Sequence, residues 1–194
     1  MPDTTTVYDL PYLEPSDPPD IAGGLQDLAE AVEAELVRID AAAARGVAAA
    51  GTVPLSGDVG TTETITASLT WTALAGRAYR VSVMTPALDN QASAAQTAIV
   101  TLRHAAGASV SNTGTLIAKA IANVPPTTTS TNPGAAAETV TLVAFINNPG
   151  AGQRTVGVGL AALSGSSNVR FLPGNTAGPD LNPSFVVEDC GPAY

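Results

Sequence analysis

The chain has 194 residues, of which 45% are hydrophobic and only 4% aromatic, and 17 acidic against 8 basic side chains give it a formal net charge of −9. A chain of this length fits one ordinary domain with an appendage, so two full enzymatic domains are not expected. The acidic charge would be repelled by a phosphate backbone, and the basic residues are spread singly along the sequence, so we predict no nucleic-acid partner.

The first 19 residues form an extended arm in our prediction, because prolines at positions 11, 15, 18 and 19 fix φ and remove backbone donors. The opening MPDTTTVYDLPYLEP has no basic region followed by an apolar run, so it does not resemble a signal peptide, and we expect synthesis in the cytoplasm. Large apolar side chains on an irregular arm usually lie against another surface. We predict attachment through Tyr8, Leu10, Tyr12 and Leu13, either to the chain's own β domain or to a neighbouring subunit or assembly component.

A helix start is predicted at Asp17, the N-cap, with Pro18 at the first helical position, and residues 20–45 are predicted as the oligomerisation and anchoring part of this helix. Apolar residues then recur in steps of four, three, four, four, three and four, which forms one stripe close to the eleven-residue repeat of nearly straight bundles. The predicted oligomerisation residues on this stripe are Ile21, Leu25, Leu28, Val32, Leu36 and Ile39. The partner is either the chain's own β domain or two or three copies of the helix. We favour self-association, because a narrow stripe suits a coiled-coil seam better than a broad sheet face.

The small-residue segment AAAARGVAAAG follows the helix, and within it residues 46–51 are predicted as a hinge. The apolar pattern then changes from a period of 3.6 to a period of 2, so residues 52–194 are predicted as a β domain. Alternation is clearest over residues 63–74, with Ile65, Leu69 and Trp71 on one face. The other predicted strands are residues 78–85, 97–104, 116–124, 138–147, 155–163, 169–173 and 184–189.

Turn-forming residues separate these strands at 75–76, 88–90, 106–107, 147–150 and 164–165. Short strands with polar turns and no helix between them predict an antiparallel β-sandwich of jelly-roll type. The fold class is therefore mainly β, with an extended arm and an amphipathic helix in front of the sandwich. The segment 125–137 is predicted as a solvated loop.

Residue types that support catalysis are scarce. His104 is the only histidine, it is accompanied by no G-x-S-x-G motif, and we interpret it as a surface residue at a strand end. One histidine and the single Cys190 cannot supply a zinc set, and we interpret Cys190 as a buried or idle thiol. Gly157 and Gly159 fall in a strand pattern, which favours close packing or a bulge over a dinucleotide loop. We therefore predict no catalytic residue, no metal ligand and no cofactor.

Sugar chemistry would need two facing carboxylates, and sugar binding usually needs an exposed aromatic surface. The carboxylates outside the arm and helix are Asp58, Glu63, Asp89, Glu138, Asp180, Glu188 and Asp189. Their spacing gives no reason to expect that any two converge. Among the aromatic residues of the β domain, Trp71, Tyr79 and Phe185 fit core positions, whereas Tyr194 is the freest.

Three segments carry a resemblance to a known family. They are residues 8–19 (YDLPYLEPSDPP) leading into residues 28–33 (LAEAVE), residues 70–81 (TWTALAGRAYRV) and residues 187–192 (VEDCGP). In these segments the chain resembles the minor tail and related virion structural proteins of tailed phages that infect high-GC Gram-positive bacteria. The resemblance implies an arm and helix that oligomerise and attach, followed by a β domain, and it carries over no catalytic residue.

We therefore expect a non-enzymatic virion structural protein, made in the host cytoplasm. The chain has no repeats and no collagen-like tract, which favours a compact trimeric tail-tip or tail-surface component with a role in host attachment over a long fibre. A capsid decoration protein is the alternative, and a cell-wall carbohydrate-binding module is a further one. The expected partners are copies of the chain itself, other tail or capsid proteins and host cell-wall glycans. No membrane partner is expected, because no stretch reaches about 18 uninterrupted apolar residues.

Overall fold

A computed structural model describes residues 3–4, 11–12, 21–90, 95–124, 139–163, 168–172 and 184–194. The chain divides into two compact units, residues 1–44 and residues 45–194. The first unit contains the arm and the helix, and the second contains the β domain.

In the first unit, β1 (Asp3–Thr4) pairs antiparallel with β2 (Pro11–Tyr12), and α1 spans Ile21–Ala42. The helix lies within the predicted range and ends three residues before its predicted end. Hydrogen-bonded pairs one turn apart, such as Gln26 with Glu30 and Glu35 with Arg38, support its polar side. Residues 13–20, which include the predicted cap, lie outside the described residues.

The second unit is an antiparallel β-sandwich of two four-stranded sheets with an added two-stranded ribbon. Its strands are β3 (Gly46–Thr52), β4 (Thr64–Ala73), β5 (Arg77–Met84), β6 (Ala87–Asn90), β7 (Gln96–Ala106), β8 (Thr115–Val124), β9 (Thr141–Asn147), β10 (Gly152–Ala162), β11 (Val169–Leu172) and β12 (Ser184–Pro192). The strand orders are β4-β10-β7-β8 and β3-β12-β5-β9, and β6 pairs with β11.

The pairing of the eight long strands is nested. The first long strand, β3, pairs with the last, β12, and β4 pairs with β10, β5 with β9 and β7 with β8. Nested pairs of this kind arise when one long antiparallel ribbon rolls up into two facing sheets, which is the jelly-roll arrangement. The predicted fold class is confirmed.

The core lies between the two sheets and consists mostly of valine, alanine and leucine. Its larger members include Trp71, Tyr79, Phe171 and Phe185, all nearly inaccessible to solvent. The core positions predicted for Trp71, Tyr79 and Phe185 are thus confirmed. The rings of Trp71 and Tyr79 are 5.6 Å apart between centroids, and the Tyr79 hydroxyl accepts a hydrogen bond from the Leu74 amide at 2.8 Å.

Two segments of the β domain differ from their predictions. Residues 46–51, predicted as a hinge, form most of β3. Alanine and glycine give this segment no alternating apolar pattern, but its backbone groups form hydrogen bonds with β12. Residues 88–90, predicted as a turn, belong to β6. Asp89 there is ion-paired with Arg170 through one of its oxygens, and the Asn90 side chain donates to the Val124 carbonyl at 2.6 Å, so both polar residues have partners inside a strand.

The glycines at 157 and 159 pack closely beside a bulge, as predicted. The register of β10 against β4 shifts between Val158 and Gly159. A Cβ on Gly159 would overlap the side chains of Glu63 and Thr101, which hydrogen-bond to each other at 2.6 Å. Hydrogen bonds from Arg103 to Glu63, at 2.7 Å, outweigh the effect of burial and hold the pKa of Glu63 below its ordinary value.

Candidate functional site

The apolar stripe of α1 consists of large side chains that the helix itself leaves exposed. Leu25, Leu28, Val32, Leu36 and Ile39 are between 38% and 62% exposed. Such a row of large apolar side chains is unfavourable in water, and its role in oligomerisation stays a prediction. The side chain of Ile21, the sixth predicted member, lies outside the described residues.

The predicted attachment residues are only partly covered by the structure. Tyr12 lies in β2, where its backbone pairs with Asp3. Tyr8, Leu10 and Leu13 lie outside the described residues. The attachment role of these four residues therefore stays a prediction.

His104 lies two residues before the end of β7 and is half-buried, with its Nε2 atom inaccessible, so it is only partly the surface residue that was predicted. The strand continues beyond it, and its register partner Val156 is buried. The His104 and Trp71 ring centroids are 5.9 Å apart, and Arg154 is the cross-strand neighbour of Trp71. One nitrogen of each of these three side chains is buried without a hydrogen-bond partner among the described residues. Burial, and then the charge of Arg154, lower the pKa of His104 below its ordinary value.

This environment predicts that the free energy of unfolding falls as the pH is lowered from about 7.5 to about 5. The unfolded chain takes up a proton near the ordinary histidine pKa of about 6.5, and the folded chain does so only at lower pH. The contribution is therefore fully present above the unfolded pKa and is lost as the pH falls towards the folded pKa. Denaturant unfolding at several pH values measures it. A His104→Gln variant should show a flatter profile, and an equally steep fall in that variant would contradict the assignment.

The neighbouring acids Glu188 and Asp189 face opposite sides of their sheet. Asp189 points into the core and pairs with Arg77, whereas Glu188 points outward and pairs with Arg80. Two carboxylates that face apart cannot act on one glycosidic bond. This pair therefore offers no glycosidase site.

The pair of Arg77 and Asp189 is buried, with both residues 5% exposed. The Arg77 Nε and Nη2 atoms donate to the Asp189 carboxylate at 3.0 and 2.6 Å, and the Gly191 amide donates at 2.9 Å. Burial raises the pKa of Asp189, but these hydrogen bonds outweigh it and hold the pKa below its ordinary value. The carboxylate is thus fixed in its charged form.

An open depression of about 400 Å³ adjoins this buried pair. It is lined by Arg45, Gly46, Val47, Ala48, Thr72, Leu74, Tyr79 and Asp189. The Asp189 carboxylate and the Tyr79 hydroxyl already take part in the hydrogen bonds described above. We therefore assign no acid or base role to the depression.

Asp89, in the segment that was predicted as a turn, is a second buried carboxylate. Arg170 on β11 donates to Asp89 Oδ2 at 2.8 Å and lies 3.9 Å from Asp58. Asp89 Oδ1 has no hydrogen-bond partner among the described residues. The two carboxylates are drawn together by the guanidinium between them, which is the arrangement of an ion-paired structural network.

The outward face of β9 carries an exposed aromatic residue. Phe145 is 57% exposed and Val143 53%, although the inward residues of the same strand are buried. Tyr194 is 86% exposed, and its backbone is hydrogen-bonded to Asn147: the Tyr194 amide donates to Asn147 Oδ1 at 3.2 Å, and Asn147 Nδ2 donates to the Tyr194 carbonyl. The expectation that Tyr194 is free at its ring is confirmed. The sequence does not show that Phe145 points outward, because residues 142–146 are all apolar.

Other site types find no support in the part of the chain that the structure describes. Within it, no three His, Cys, Asp or Glu residues are grouped so that they could hold a metal ion. None of its helices is both long and apolar enough to cross a bilayer. Cys190 is exposed, so it is not the buried thiol that was one of its two interpretations.

Residues 32–194 match a family model described as "Domain of unknown function (DUF7298)". No curated protein matches the sequence. One similar solved structure is that of a family 35 carbohydrate binding module from an environmental isolate, with 15% sequence identity, a TM-score of 0.27, and coverage of 77% of this chain and 93% of that chain. We infer nothing about function from a similarity of this size.

Proposed function

The chain belongs to the DUF7298 family, and we propose that it is a non-enzymatic structural protein of a bacteriophage virion. In this proposal it is a homotrimeric minor tail protein of the tail tip or tail surface. Helix α1 holds the subunits together, and the β-sandwich serves in adhesion to the host surface. The placement on a phage particle rests on the resemblance of the arm, the strand junction at residues 70–81 and the closing segment at residues 187–192.

The observation that carries the assembly part is the exposed stripe of α1. Its residues recur at the spacing of a nearly straight helical bundle, and the helix itself leaves them exposed. A second and third copy of the same helix would cover them with side chains of matching size and spacing. The sandwich core of small side chains supports the same view, because it buries little apolar area for each residue.

The state of the acidic residues favours a structural role over an enzymatic one. Glu63, Asp89 and Asp189 each take part in an ion pair with an arginine. A catalytic acid or base needs a pKa near the working pH, whereas the pKa values of Glu63 and Asp189 are lowered. Ion pairs of this kind fix the shape of a sandwich and leave little for proton transfer.

A trimer would also suit adhesion, because three linked sandwiches bind a repetitive surface far more tightly than one. Linking modules raises overall avidity by about 10² to 10⁴ when the geometry lets them engage together. A weak site on each sandwich is then sufficient for attachment to a cell wall.

Immunogold labelling of intact particles, viewed by electron microscopy, tests the placement. We expect label on the tail of the phage that encodes this chain. Label confined to the capsid would replace the tail role by that of a decoration protein. Particles without label, although antibody recognises the purified protein, would overturn the virion role.

A further inference from the structure

We propose that the outward face of β9 binds a neutral glycan, whose sugar rings stack on Phe145 and Tyr194. The proposal names a ligand class for the adhesive part of the proposed function and rests on that part. Its physical basis is the exposed Phe145 ring next to a hydrogen-bonding ion pair, with the exposed Tyr194 side chain extending from the end of the same strand.

The fold holds the Tyr194 backbone at the end of the strand that carries Phe145. Side chains two residues apart on a strand share a face and lie about 7 Å apart, so Asn147 is the next outward position after Phe145. Asn147 binds the Tyr194 backbone through both its amide oxygen and its amide nitrogen. The Tyr194 backbone is therefore anchored at the end of the face that carries Phe145, and its 86% exposed side chain extends from that point.

Polar groups lie next to Phe145 on the neighbouring strands of the same outward face. Arg80 on β5 lies directly opposite Phe145, and Glu188 on β12 lies directly opposite Arg80. The Arg80 Nε and Nη2 atoms bind Glu188 Oε2 at 2.7 and 2.5 Å. A guanidinium has five N–H donors and a carboxylate about four acceptor positions, so both groups keep capacity for further hydrogen bonds.

This combination matches a sugar ring. A pyranose has a face of C–H groups, which packs on an aromatic ring, and an edge of hydroxyls, which both donate and accept hydrogen bonds. The match is to a neutral sugar, because Glu188 already neutralises Arg80 and the chain has a formal net charge of −9. A stable protein interface needs about 800 Å² from each partner. The large apolar side chains along β9 form only a single row, Val143 and Phe145, which suits a narrow ligand such as a glycan chain.

Isothermal titration calorimetry of the full chain tests the proposal with three probes. They are cellohexaose and chitohexaose, which are neutral, and hexagalacturonic acid, which is acidic. We expect at least one neutral hexasaccharide to bind with a dissociation constant below about 1 mM and the acidic one not to bind. Phe145→Ala should weaken binding about tenfold, because it removes the stacking surface, and Phe145→Tyr should retain it.

Ile121→Ala is the matched control. Ile121 is 60% exposed on β8, the edge strand of the other sheet, so its loss removes a similar apolar surface away from the site. This variant should bind like the unchanged protein. The proposal fails if neither neutral hexasaccharide binds, or if Phe145→Ala and Tyr194→Ala both bind normally. Electron microscopy tests the virion role separately: glycan binding without label on the particle would leave this site standing and overturn the virion role.

Discussion

Replacing Arg77 by methionine is expected to lower the free energy of unfolding of the β domain by about 3–5 kcal/mol. The substitution leaves the Asp189 carboxylate buried without its main partner, and removing a charge from water without compensation is costly. Since domains of this size are stable by about 5–15 kcal/mol, the variant should be partly unfolded at moderate temperature. Denaturant unfolding followed by circular dichroism measures the loss.

A matched control lies on the same two strands. Arg80 and Glu188 form the same kind of pair on the outward face, where water competes with it and screens it. Arg80→Met should therefore change the free energy of unfolding by no more than about 1 kcal/mol. The double variant Arg77→Met with Asp189→Leu should recover most of the stability, because it removes both buried charges. Equal losses for Arg77→Met and Arg80→Met would show that burial does not set the strength of the inner pair.

The strands with alternating patterns could be predicted from the sequence, but their pairing could not. Alternation is a local property, and it located β4 closely because Trp71 and its neighbours on that face differ clearly from the threonines between them. Pairing joins residues far apart: Arg77 and Asp189 are separated by 112 positions, and no local pattern marks them as partners. The nested arrangement of the jelly roll depends on such long-range contacts.

The missed strands had no local contrast. In β3, alanine and glycine give no apolar alternation, so only the backbone bonds to β12 define the strand. In β6, Asp89 and Asn90 are typical turn residues, and they are accommodated in a strand because Arg170 binds Asp89 and the Val124 carbonyl binds Asn90. Both cases are decided by partners distant in sequence.

The outward face of β9 could not be predicted from the sequence for a related reason. Residues 142–146 are all apolar, so the sequence does not tell which of them point outward. The structure shows which side chains point inward: Leu142, Ala144 and Ile146 face the core, and Phe145 faces solvent. The helical stripe was visible because a period of 3.6 distinguishes its apolar residues from the acidic ones around them.

Replacing both Leu28 and Val32 by aspartate is expected to convert a trimer into a monomer. Each charge would have to be buried in the helical seam, and this costs several kcal/mol for each subunit. Ala34→Asp is the control, because Ala34 follows Val32 by two residues, or about 200° around α1, which places it on the side away from the stripe, where it is exposed. Sedimentation velocity over a range of concentrations measures the outcome: the unchanged chain and Ala34→Asp should sediment as trimers, with the double variant monomeric and its sandwich still folded. An unchanged chain that is monomeric at every concentration would refute assembly, whereas a double variant that remains trimeric would show that contacts outside the seam hold the subunits together.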